Sequence, residues 1–198
     1  MHDRLKLNTL LVVFALLLPG SAALAQWELD NTRSTVNFVS IKNDSVAEIH
    51  SFSSLVGYIG LDGKVQLGID LGSVETLVPI RNERMRELLF ETVTFPSANI
   101  SAQVDPTIIA TVAQGGVVTT DLPVTLSLHG QEKSLTIPVV VVGEGDSRLR
   151  VLSSRPVLIN AADFSLDGGI TALREIAGLK SINTAVPVTL QLLFVPAL

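Results

Sequence analysis

Four stretches of the chain alternate apolar and polar side chains with a period of two. They carry Val65, Leu67, Ile69 and Leu71; Val74, Thr76, Val78 and Ile80; Leu122, Val124, Leu126 and Leu128; and Val186, Val188, Leu190, Leu192 and Phe194. A strand points successive side chains to opposite faces, so each stretch predicts a strand with one buried and one wet face. Such strands pair antiparallel, since parallel strands are usually covered on both sides. Less regular strands are predicted over 34–41, 48–61, 95–104, 134–142, 148–153 and 156–159. Turns fall at Asp62-Gly63, Gly115-Gly116, the His129-Gly130 hairpin, where His129 should meet solvent, and Gly143 to Asp146. Many short strands at close spacing predict an all-β fold, a closed or nearly closed barrel first and a sandwich second.

Two segments break this rhythm. In "LVPIRNERMRELLFETVTFPSA", residues 77–98, Asn82 can cap a helix whose apolar stripe is Met85, Leu88 and Leu89, with Phe90 beside it. Arg81, Arg84 and Arg86 suit a phosphate, but Glu83, Glu87 and Glu91 match them, which favours a solvated, ion-paired face. The second segment has Thr171 capping "ALREIA" and Gly178 where a left-handed terminal residue belongs. Helices this short need a partner surface. A barrel offers one, because its ends are open and an amphipathic helix between strands can plug them.

The chain opens with Arg4 and Lys6, an apolar run from Leu10 to Leu18, and Ala23-Leu24-Ala25. This is the pattern of a secretory signal peptide over residues 1–25, the run being too short for the ~20 residues of a membrane span. Residues 26–198 then form one domain without an integral membrane segment, expected in a periplasm or outside the cell. The chain has no cysteine, so neither disulfides nor thiolate metal sites hold it together. A net charge of −5 offers no general attraction for nucleic acid.

Catalytic patterns are missing. After the leader only His50 and His129 remain, and no nucleophile elbow, paired-histidine metal motif or glycine-rich phosphate loop is present. Asp163, Ser165, Asp167 and Gly168 fit the start of a calcium loop, yet Arg174 stands where a bidentate glutamate is required, so "DFSLDGG" reads as a turn. The residues therefore predict no enzyme, metal or cofactor.

Three separated blocks carry a resemblance. "WELDNTRSTVNFV", "RNERMRELLFE" followed by "FPSA", and "LPVTLSLHGQEKSLTIPVVV" look like successive signatures of the YceI-like family of exported lipid-binding barrels. The likeness implies an extended, eight-stranded, lipocalin-like antiparallel β-barrel with one or two short helices, holding an isoprenoid or other lipid chain. Phe38, His50, Phe52, Leu55, Met85, Leu88, Leu89 and Phe90 are the residues expected to face that ligand. His50 and Phe52 share a strand face that a bulge at Ser53-Ser54 continues to Leu55, and His50 is expected to be hydrogen-bonded rather than catalytic. The sequence departs from the family habit at Lys42, where many members carry histidine, and in "RNERMRE". Small residues such as Ser51, Gly57 and Gly68 leave two readings open. Either they make room for a cavity, or they serve bends in a filled barrel of a stress-protective or interaction protein.

Overall fold

The computed structural model describes residues 25–197; the expected leader, apart from Ala25, lies outside them. The alternating stretches become staves of a closed, eight-stranded antiparallel barrel. Four staves are broken by a kink. β1 (Ala25–Leu29) and β2 (Thr35–Lys42) are halves of one, as are β3 (Val46–Phe52) and β4 (Leu55–Gly60). β5 (Lys64–Asp70) continues as β6 (Val74–Glu75), and later β10 (Arg148–Ser153) continues as β11 (Val157–Asn160). The unbroken staves are β7 (Ser97–Gln103), β8 (Val117–Leu128), β9 (Gln131–Glu144) and β12 (Ala185–Pro196). Consecutive staves pair with each other, and β12 closes the ring on β1 and β2 through Leu29↔Phe194 and Leu190↔Val36.

The expected bulge at Ser53-Ser54 is a full interruption that separates β3 from β4. The strand expected over 74–80 stops at Glu75. Leu77 adopts a left-handed φ of 60° and is exposed, and Pro79 opens helix α1 (Pro79–Arg84). Proline has no N–H to give a strand but costs a first helical turn nothing. Asn82 does not cap this helix. It is buried inside it, and its Oδ1 accepts from the Thr76 N–H at 2.9 Å and the Thr76 hydroxyl at 2.6 Å.

The helix continues as a π-turn, Met85–Leu89, marked by the Phe90 N–H donating to the Met85 carbonyl at 2.9 Å. A second helix, α2 (Pro106–Ala113), was not expected. It starts on Asp105, whose Oδ1 accepts from the Thr107 N–H at 2.8 Å. The third, α3 (Asp167–Ile176), begins before Thr171, whose hydroxyl bonds back to the Asp167 carbonyl at 3.0 Å, and Gly178 follows it at a φ of 62° as expected. "DFSLDGG" is thus a short 3-10 turn, Ala161–Phe164, running into α3.

α1, its π-turn and α3 gather at one end of the barrel, which we term the mouth; α2 lies at the other, the floor.

Candidate ligand tunnel

Inward residues of the staves leave space instead of filling it. Behind the mouth helices lies a cavity of about 350 Å³, with Ser40, Lys42, Glu48, His50, Arg81 and Met85 in its wall. The next, of about 150 Å³, has a wholly apolar wall that includes Val36, Phe38, Phe52, Leu89, Phe90 and Leu126. A third, of about 90 Å³, is also apolar and ends on Ile108, Ile109 and Val112 of α2. Packed interiors hold few voids larger than a water, which needs ~10–15 Å³. This interior is hollow.

The three cavities share walls in order. Phe38, Leu89, Ile170 and Val186 border both the mouth and the middle; Ile100, Val124, Ile137 and Leu190 border both the middle and the floor. β12 runs past all three with every second side chain inward, from Val186 to Phe194. At ~3.4 Å per strand residue those eight steps span about 27 Å. The three cavities stand in file along the barrel, the outline of a candidate tunnel for one slender chain.

Its polar groups are confined to the mouth. His50, only 3% exposed, shares a hydrogen bond of 2.8 Å between Nε2 and the Ser40 hydroxyl, and its Nδ1 has no hydrogen-bond partner among the described residues. The ring sits 5.1 Å from that of Phe38. Beside it the Glu48 carboxylate receives Lys42 at 2.9 Å and Arg81 at 2.7 Å, while Arg81 also donates to the Thr76 carbonyl at 2.7 Å. The Lys42 hydrogen bond, aided by the Arg81 charge, holds the Glu48 carboxyl below its usual range. Burial, with the Arg81 charge adding to it, pushes the His50 pKa down, so the imidazole is kept neutral. Two cations on one carboxylate leave a surplus positive charge, and Arg84 in the same wall increases it. The arrangement can hold the polar end of a ligand at His50 while an apolar tail runs inward. Among the described residues no group of three His, Cys, Asp or Glu could hold a metal ion.

The expected residues separate into two sets. Phe38, Phe52, Leu89 and Phe90 line the middle cavity, and Phe38, His50, Met85 and Leu89 line the mouth. Leu55 and Leu88 line none of the three. Leu55 is buried in the core. Leu88 is half-buried in the π-turn, whose wider winding leaves Leu89 and Phe90, and not Leu88, against the cavities.

Sequence reasoning missed Arg81, whose carboxylate partner is on β3 instead of its own helix and is invisible to local spacing. His129 is also not solvated. Its ring packs 4.3 Å from Phe95 and its Nδ1 donates to the Phe164 carbonyl at 3.2 Å.

The YceI-like domain matches residues 27–194. The chain belongs to the YceI-like family. It is similar to a polyisoprenoid-binding domain from Saccharophagus degradans implicated in plant cell wall breakdown, with 40% identity and a TM-score of 0.84, over 87% of this chain and 99% of that one. It also resembles BcnA of Burkholderia cenocepacia at 19% identity and a TM-score of 0.64, over 83% of this chain and 98% of that one. Campylobacter jejuni YceI protein follows at 14% and 0.51, over 72% and 81%. These last two likenesses concern the fold alone. No curated protein sequence matches.

Proposed function

We propose that this YceI-like protein is an exported binding protein that holds one long apolar chain, a polyisoprenoid or another lipid, lengthwise in the barrel for carriage or storage. The observation that carries this reading is the run of three wall-sharing cavities, apolar from Phe38 to α2 and polar only at the mouth. A chain buried there exchanges water for hydrocarbon along its whole length, at about 25 cal/mol per Å² of apolar surface. The polyisoprenoid-binding relative at 40% identity supports the same ligand class. We read the protein as acting by binding rather than turnover, since the hydrogen bond of neutral His50 goes to the Ser40 hydroxyl, and the nearby Glu48 carboxylate is held by Lys42 and Arg81 instead of orienting the ring as a base. Export to a periplasm or beyond rests on the leader pattern of residues 1–25.

Native mass spectrometry before and after organic extraction tests the ligand. Protein purified from its host should carry a mass that extraction removes and that a membrane lipid extract restores. If it carries none and takes up none, the reading fails. Protein recovered from the cell exterior or periplasm should begin at Gln26, and an intact leader there would contradict export.

A further inference from the structure

The floor of the tunnel is built differently from any exit. Ile109 is 8% exposed and Val112 only 1%, and every wall residue of the last cavity is apolar. The backbone of α2 rests directly on the sheet. A Cβ added to Gly143 of β9 would lie 1.7 Å from the Val112 carbonyl oxygen, and one added to Gly116 would lie 2.7 Å from that of Thr111. The Gly143 N–H donates to the Gly116 carbonyl at 2.9 Å, tying the loop after α2 to the same strand. Asp105 caps the other end of the helix. Swinging α2 aside would break these contacts together.

We infer that α2 is a chain-length stop: Ile109 and Val112 set the longest apolar chain the tunnel accepts. This deepens, and rests on, the binding reading above. The ligand's polar end has hydrogen-bonding partners only at the mouth, so its tail must be what reaches the floor. A tail one unit too long has no polar-lined exit and no loosely packed wall to displace. It must leave part of itself outside the mouth, in water. An apolar pocket separates ligands differing by one methylene by about 10- to 200-fold, so a whole isoprene unit beyond the limit should be rejected by at least roughly 10-fold.

The test offers an equimolar series of all-trans polyprenols, from geranylgeraniol to decaprenol, to the lipid-stripped protein and reads the bound lengths by native mass spectrometry. Wild type should show an upper limit. Ile109→Ala should move that limit up, by at most one isoprene unit, because the three carbons it removes from the floor make room for most of that unit's five, and Val112→Phe should move it down. Should Val112→Phe fail to fold, Ala102→Phe, which fills the same cavity from β7, must give the downward shift. The stop is overturned if folded Ile109→Ala and the filled variant keep the wild-type limit, or if wild type binds every length equally. Should wild type bind no polyprenol of any length, the binding reading itself falls and the stop with it.

Discussion

Both ends of the barrel are closed by helices, but the two closures use different contacts. At the floor, the backbone of α2 lies on β9 at Gly143, and the side chains it presents inward are aliphatic. At the mouth, helix meets helix: a Cβ on Gly169 of α3 would lie 2.5 Å from the Leu88 carbonyl of the π-turn. α1 there begins without a side-chain cap, Val78, Ile80 and Ile176 are exposed at the rim, and buried Asn82 braces the segment through Thr76. Sheet-seated backbone makes a fixed wall, whereas two helical segments packed on each other can part as a unit. Low-stability elements are where proteins admit ligands, and π-turns recur at such sites. The mouth is therefore the end expected to open.

Substitutions at the two ends should separate these roles. The largest effect is expected from Gly143→Val, which forces α2 off its strand and should lower the free energy of unfolding by about 3 kcal/mol in urea titration. If it unfolds no more easily than wild type, the floor is not fixed. Asn82→Ala at the mouth leaves the Thr76 N–H without its partner and should cost about 2 kcal/mol. The comparison sharpens if hydrogen exchange then quickens in α1 and α3 while α2 stays protected.

A smaller effect is expected from His50. Because its folded pKa is lowered, the unfolded chain binds a proton that the folded chain lacks just below the usual pKa of ~6.5. The stability His50 contributes is therefore complete above that pH and is lost as pH falls through it, by up to ~1.4 kcal/mol per pH unit. Glu48 acts in the same direction at lower pH, below the ordinary carboxylate value of 4.5. The thermal midpoint of His50→Gln should consequently change less than wild type between pH 6.5 and 5, and parallel curves would contradict this. Arg84→Ala should shift stability least, within about 0.5 kcal/mol, since Arg84 makes no salt bridge among the described residues.

The staves were legible in the sequence because a period of two reports the wall of a barrel directly. The helical ends were less so. Val74, Thr76, Val78 and Ile80 alternate like a strand, but Pro79 was the local sign that the strand had ended. Asp105-Pro106 followed by Ile108, Ile109 and Val112 carried the start signal and apolar spacing of α2, and could have been read. Leu88 could not be separated from Leu89, because both fit a 3.6-residue stripe and only the π-turn chooses between them. The surroundings of Arg81 and His129 depend on residues brought from distant staves, which no local pattern encodes.

The closure of the ring by β12 also governs how the barrel comes into being. Its partners β1 and β2 lie at the opposite end of the described chain, and the Leu193 N–H meets the Ser34 hydroxyl across 159 residues. Loop closure over such a span is entropically slow, so the other staves can zip up in order along the chain while the last seam still waits. Until β12 docks, β10 and the β1–β2 stave are bare edges, open to pairing with another molecule. The step that seals the barrel is therefore also the one that ends its exposure to aggregation.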